Sequence, residues 1–194
     1  MSRLVVFGCS FTLGSCLPDN NGFDKQPSKF AWPSLLAEKL NREVVNNGIP
    51  GNNNLHILTE LLKFDFKSDD VVVILWSLFA RELLSDFDIV NNDLKKLWVM
   101  LQHDSGIKHK NWLYVNHAHL FLKSKNVKVL QAHTDFEGIV LPIPEILSTI
   151  DMPDVIYNVR KHFIDLALDN QHPGVESHKL IAQSFYEKLT NVIY

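Results

Sequence analysis

Residues 4–7 and 71–75 are nearly continuous apolar runs, the pattern of strands covered on both faces of a sheet. Residues 43–46 and 127–132 are expected to be strands beside them, the second less uniformly apolar. Between these runs the apolar period lengthens. Trp32, Leu35, Leu36 and Leu40 recur at three- and four-residue steps, with Pro33 near the first helical position. Leu55, Leu58, Leu61 and Leu62 repeat that pattern behind a cluster of Asn residues suited to capping. Residues 86–103 and 110–125 are further helical candidates with a weaker period, and Leu180 or Ile181, Phe185 and Leu189 define a last helix. Residues 18–28 gather Asn, Asp, Gly and Pro and read as a loop. Strand–helix alternation of this kind predicts an α/β domain, a parallel sheet with helices on both faces. In such sheets functional groups collect on the loops beyond the carboxyl ends of the strands.

Composition narrows the function classes. The chain has 194 residues, 46% hydrophobic and 21% charged, which excludes a disordered chain and suffices for one sizeable core in a single domain over residues 1–194. A net charge of −3 without a basic run argues against a nucleic-acid partner, since gripping phosphates needs clustered Lys and Arg. No long apolar segment with a cleavage site follows the N-terminus, so a signal peptide is not expected. The longest apolar run, residues 71–80, is interrupted by Ser77 and falls short of the ~20 residues that span a bilayer. Cys9 and Cys16 cannot build a disulfide framework or a four-cysteine metal site; they read as free thiols of a reducing compartment, with the cytoplasm the expected location.

Two segments carry candidate chemistry. Phe7-Gly8-Cys9-Ser10-Phe11-Thr12-Leu13-Gly14 follows the first strand, and a Ser there can expose its hydroxyl and backbone N–H at a strand-to-loop turn. Asp169-Asn170-Gln171-His172-Pro173-Gly174 precedes the last helix. An Asp three residues before a His can fold back in a turn and accept a hydrogen bond from the imidazole, fixing its tautomer and supporting an imidazolium as it forms. The plain structural alternatives are a glycine-punctuated turn for the first segment and a helix-entry turn capped by Asp169 for the second.

Together the two segments resemble the SGNH (GDSL-type) hydrolase family. Gly8-Cys9-Ser10 with Gly14 matches that family's first block, with Cys9 in the usual Asp place, and Asp169 to His172 matches its last block. The resemblance implies Ser10 as nucleophile, His172 as general base and then acid, and Asp169 as its orienting carboxylate. Asn46-Asn47-Gly48-Ile49-Pro50-Gly51-Asn52 looks like the second block; Gly51, with Gly48 in reserve, would join the backbone N–H of Ser10 in the oxyanion hole. The third block departs from the pattern: where the family carries an oxyanion-hole Asn, this chain has Leu78, which has no donor. Ser77, Arg81, Asn52, Asn53 and Asn54 are the substitute donors within reach in sequence. The resemblance spans essentially the whole chain. It implies a flavodoxin-like three-layer α/β/α sandwich with a five-stranded, mainly parallel sheet, and serine-dependent hydrolysis of a carboxylic ester.

The implied substrate is a small-molecule or carbohydrate ester, with O-acetylated sugars and short-chain esters fitting the family, and no cofactor is implied. An acyltransferase could run the same chemistry with a sugar acceptor. A non-catalytic binding or structural module of the same fold, of the kind phages encode, is the rival that Leu78 favours. His117, His119, His103, His109 and His133 lack the Cys, the HExxH spacing and the carboxylates of a metal site, so no metal is expected. No GxGxxG or GxxxxGK[ST] supports nucleotide binding. Cys9, adjacent to Ser10 in an extended chain, would point the other way and is not the expected nucleophile, whereas Trp76 at a strand end is placed to line a pocket.

Overall fold

The computed structural model describes residues 2–21, 26–79, 81, 105–134 and 157–191. Its sheet contains β1 (Arg3–Gly8), β2 (Glu43–Gly48), β3 (Val71–Trp76), β4 (Lys128–His133) and β5 (Tyr157–Asn158). The strand order is β2-β1-β3-β4-β5, with every pairing parallel. The helices are α1 (Ser10–Leu13), α2 (Trp32–Leu40), α3 (Asn54–Lys63), α4 (Ser105–Ser124) and α5 (Val175–Asn191), with a 3-10 turn at Arg160–His162. The four strands read from the sequence are present within one or two residues. The fifth, two residues long, is too short to show a period. Helix α4 starts five residues before the expected boundary, and the candidate helix at residues 86–103 lies outside the described residues.

Alternation along the central strands sorts the core into two layers. Val5, Phe7, Val72, Ile74 and Trp76 face α3 and α4, meeting Ile57, Leu58 and Leu61 from the first and Trp112, Val115, Ala118 and Leu122 from the second. Leu4, Val6, Val71, Val73 and Leu75 face the opposite way, onto Trp32, Leu36 and Ala37 of α2 and Ile181, Ala182, Phe185 and Leu189 of α5. The result is the expected α/β/α sandwich. Trp76, placed by its sequence position at a pocket, is instead fully buried in the first layer; its Nε1 donates to Gln131 Oε1 at 2.8 Å, which removes the cost of burying the indole N–H. At the amino edge of the sheet, Arg3 Nε and Nη2 grip the two carboxylate oxygens of buried Asp70 at 2.9 and 2.6 Å, a bidentate pair joining the start of β1 to the turn before β3.

A local signal sets the start of α3, and a distant side chain that of α2. Asn53 Oδ1 accepts from the His56 N–H at 2.9 Å and caps α3, as the Asn cluster suggests. Helix α2 has Pro33 in its first turn but begins after Ala31, which has no capping side chain. Its Trp32 N–H is met instead from α5, donating to His178 Nδ1 at 3.0 Å, while the Trp32 and Phe185 rings pack edge-to-face at 4.9 Å. Because Trp32 N–H is a donor, His178 Nδ1 must be unprotonated, and burial holds the imidazole pKa down at about 4.

That neutral, buried histidine makes stability acid-sensitive. In the unfolded chain His178 protonates as pH falls through its ordinary 6.5, while the folded protein resists until about 4, so stability present above pH 6.5 is lost across that window. The shift corresponds to roughly 3 kcal/mol. Urea unfolding followed from neutral pH to about pH 4 should show this loss, and His178→Gln, which can accept the same bond without titrating, should flatten it. Equal slopes in the two proteins would refute the assignment.

Candidate active site

Ser10 sits where the sheet reverses its winding, at the carboxyl end of β1 between β2 and β3. The chain there does not remain an open turn, as its sequence suggests, but winds at once into α1, with Ser10 its first residue. Gly8 permits this close return: a Cβ at that position would lie 2.0 Å from Thr12 Oγ1 and 2.9 Å from the Leu75 carbonyl. Ser10 is therefore 4% exposed rather than displayed on a loop, a consequence of the helical turn folding over the strand end. Its backbone N–H belongs to the first turn of α1 and has no partner within the helix. Cys9 is buried under the same turn.

The second loop is tied to the first. Ile49 N–H donates to the Gly8 carbonyl at 3.1 Å, and Asn46 Nδ2 donates to the Thr12 carbonyl at 2.9 Å. Ile49-Pro50-Gly51-Asn52 then forms a turn closed by Asn52 N–H on the Ile49 carbonyl at 3.2 Å. Pro50 and Gly51, with φ of +79° at the glycine, have the type II signature. Nothing lies within 4 Å of a Cβ built on Gly51, so the glycine answers to backbone conformation and not to crowding.

The Asp169-to-His172 segment forms the tip of a small hairpin. Leu166 bridges Pro173, Gly174 N–H donates to the Asp165 carbonyl at 3.0 Å, and Ala167 N–H donates to the His172 carbonyl at 2.8 Å. At the tip Asp169 Oδ1 accepts from the N–H groups of Gln171 (3.1 Å) and His172 (3.0 Å), while Oδ2 lies 2.5 Å from His172 Nδ1. Partial burial works to raise the Asp169 pKa, but these hydrogen bonds to its ionised form outweigh burial and hold it down at about 2. Asp169 and His172 thus form an ion-ready pair, with side chains 26% and 22% exposed. Asp169 does not cap the last helix. That task falls to Asp165, which accepts from the Glu176 N–H (3.0 Å), the Ser177 N–H (2.7 Å) and Ser177 Oγ (2.5 Å), and whose pKa is lowered because the Ser177 and Glu176 bonds outweigh burial.

Phe11, next to Ser10, brings the two segments together: its ring meets the His172 imidazole edge-on at 5.4 Å and Phe163 at 5.5 Å. Ser10 Oγ and His172 are not hydrogen-bonded in this structure. Cys16 enters the same neighbourhood. Its backbone is left-handed, with φ of 64°, its carbonyl accepts from the Leu168 N–H at 3.1 Å, and its thiol pKa is raised by burial and then by the charge of Asp169. The sequence alone presents Cys16 as a free thiol and nothing more, because a left-handed turn and a partner some 150 residues away leave no local signature.

At the end of β3 the candidate oxyanion donors separate. Asn54 is fully engaged: Oδ1 accepts from Ser77 N–H at 2.7 Å, and Nδ2 donates to the Ser77 carbonyl at 3.0 Å and to Asn111 Oδ1 at 2.6 Å. Ser77 Oγ accepts from Arg81 Nη1 at 3.1 Å, and Asn53 spends its carbonyl oxygen on the α3 cap. Asn52 is 8% exposed and its side chain makes no hydrogen bond among the described residues.

Solved structures with this architecture are numerous, and low identities mark their distance in sequence. A member of the lipolytic G-D-S-L family from Veillonella parvula DSM 2008 superposes with a TM-score of 0.56 at 14% identity, over 98% of this chain and 99% of its own. A carbohydrate acetylesterase family member from Sinorhizobium meliloti gives 0.54 at 12%, over 97% of each chain. The chain has the SGNH hydrolase fold. A third structure on the SGNH fold, described as a carbohydrate esterase active site with divergent catalytic and non-catalytic binding functions, gives 0.58 at 15%, over 97% of this chain and 64% of its own. No protein-family profile matches the chain, and no curated protein sequence does. Among the described residues no helix is long and apolar enough to cross a membrane.

The geometry assigns Asp165 the task of holding the hairpin on α5. Asp165→Ala removes an acceptor shared by two backbone N–H groups and a hydroxyl, and should cost about 1–3 kcal/mol in urea unfolding. It should also broaden the His172 ring resonances in NMR spectra, because the Asp169–His172 tip loses its base. A variant with unchanged stability and an unchanged His172 spectrum would remove Asp165 from this role.

Proposed function

We propose that this chain is a divergent SGNH (GDSL-type) hydrolase that cleaves a carboxylic ester through an acyl-enzyme on Ser10. The observation that carries the reading is the Asp169–His172 pair, Nδ1 to carboxylate at 2.5 Å, seated against Phe11, the neighbour of Ser10 in the first turn of α1. An imidazole held by a carboxylate at Nδ1 keeps its Nε2 as the proton acceptor. His172 Nε2 then takes the Ser10 hydroxyl proton as Oγ bonds to the ester carbonyl carbon. The tetrahedral oxyanion collapses, the C–O bond to the alcohol breaks, and His172 returns the proton to the leaving alkoxide. Water repeats the sequence on the acyl-enzyme and releases the acid. Tightening from the looser ligand-free geometry is the usual behaviour of such pairs.

The oxyanion is held by the backbone N–H groups of Ser10 and Gly51 and, in place of the Asn that Leu78 replaces, by Asn52 Nδ2. Asn52 follows Gly51 directly and its side-chain amide makes no hydrogen bond among the described residues, whereas the Asn54 amide is spent on the Ser77 carbonyl and Asn111. The substrate class is a small-molecule or carbohydrate ester, and the reaction requires no cofactor or metal. A non-catalytic binding role is the second reading, favoured by the 4% exposure of Ser10 and by its separation from His172.

A fluorophosphonate probe should label the wild-type chain, and Ser10→Ala and His172→Ala should each abolish labelling with the fold retained, since such residues act as a unit. Labelling that survives in Ser10→Ala places the nucleophile elsewhere; no labelling of wild type supports the binding module. On a generic ester, Asn52→Ala should lower kcat about 10²–10³-fold, the usual effect of deleting one oxyanion donor, while Leu78→Asn should change little. The reverse outcome, a gain from Leu78→Asn and no loss from Asn52→Ala, would show a vacant hole.

A further inference from the structure

Around the Asp169–His172 pair, the structure holds a third group that the hydrolytic chemistry does not use. The Sγ of Cys16, a carboxylate oxygen of Asp169 and a ring nitrogen of His172 all lie within 4.8 Å of one another, each on a partly buried side chain. They are held from two directions, Cys16 by its left-handed turn and its carbonyl bond to Leu168, and the other two by the hairpin tip. We infer that Cys16, Asp169 and His172 form a site for a zinc ion, and that filling it takes His172 out of the hydrolytic machinery; the second half rests on the function proposed above.

The donor set selects the metal. Thiolate, imidazole and carboxylate together are the ligands of zinc, whereas magnesium and calcium reject sulfur. Three protein ligands with a fourth position left for water is the arrangement of an open zinc site. Zn–ligand bonds of about 2.0–2.3 Å put tetrahedral neighbours roughly 3.3–3.7 Å apart, within the 4.8 Å span of the three donor atoms, and require the 2.5 Å Asp169–His172 contact to open. Thiolate and carboxylate cancel the two charges of the ion. On binding, the Cys16 S–H bond breaks and its proton goes to solvent. Zinc takes the lone pair of His172 Nδ1, the nitrogen facing Asp169, and the ring proton moves to Nε2. Protonated at Nε2, His172 can no longer accept the Ser10 proton. Zinc and ester hydrolysis therefore compete for one imidazole.

The reduced, metal-free full chain is titrated with Co(II) as a spectroscopic probe, which absorbs by thiolate-to-metal charge transfer only when sulfur is a ligand, and with Zn(II) in competition. The expected result is a charge-transfer band in wild type and in Cys9→Ala, lost in Cys16→Ala and in the nearly isosteric Cys16→Ser. Zn(II) affinity should fall roughly 100-fold or more in the Cys16 variants and by at least about tenfold in His172→Ala. A band that is missing from wild type, or that persists without Cys16, overturns the site. Zn(II) should also suppress fluorophosphonate labelling of Ser10 in wild type, reversibly with a chelator, and spare it in Cys16→Ser; labelling indifferent to bound zinc overturns the competition. A metal-free wild-type chain that takes no label overturns the esterase reading alone, and the cobalt band still decides the metal site.

Discussion

All six side chains of β3 are buried, and β1 buries five of its six. With no face turned to water, successive residues must be covered alternately by one helical layer and the other, and the whole arrangement follows from that requirement. Helices α3 and α4 serve the Val72, Ile74 and Trp76 side, while α2 and α5 serve the Val71, Val73 and Leu75 side. Both faces being closed, the strand ends are the places where this sheet can offer polar groups to solvent or to a ligand. Ser10, the Pro50–Gly51 turn and Ser77 all follow the carboxyl ends of their strands.

Loops leaving a closed sheet must satisfy their backbone polar groups without strand partners. Here the side chains that do so come from another element. Asn46 reaches from β2 to the Thr12 carbonyl of α1, Asn54 clamps both backbone groups of Ser77, Asn111 reaches the Phe79 carbonyl, and Asp165 caps α5 from the far side of the hairpin. His178 does the same for α2. Each clamp is a side chain with one arrangement that satisfies it, so the loops bearing Ser10, Gly51 and His172 are held by directional bonds as well as by packing. These clamps leave the amide of Asn52, directly after Gly51, uncommitted, and the buried Nδ2 of Asn47 likewise makes no hydrogen bond among the described residues.

Much of this architecture is legible in the sequence. Periodicity marks β1, β2, β3 and β4, and α2, α3 and α5, because hydrophobic burial repeats every two or 3.6 residues and leaves its imprint on composition. The Asn53 cap and the Asp169–His172 turn are legible for a related reason: both are made by residues three apart, and a bond that closes within one turn depends on little beyond local backbone geometry. The spacing also brings Ser10 to a strand end.

What lies beyond the sequence is whatever depends on groups distant along the chain. The burial of Ser10 came from a helical turn packed over β1, and Trp76 went into the core because β4 supplied Gln131 for its indole N–H. Asp165 and His178 cap helices whose starts lie 10 and 146 residues from them. Cys16 joins Asp169 and His172 only because its turn docks on the hairpin. Residue type and period determine which elements form and which face they bury, since those are short-range matters of propensity and hydrophobicity. Which amide remains free beside Gly51, and which thiol meets the histidine, were decided by tertiary structure, because a hydrogen-bond partner is chosen by distance and direction in space and not by separation along the chain.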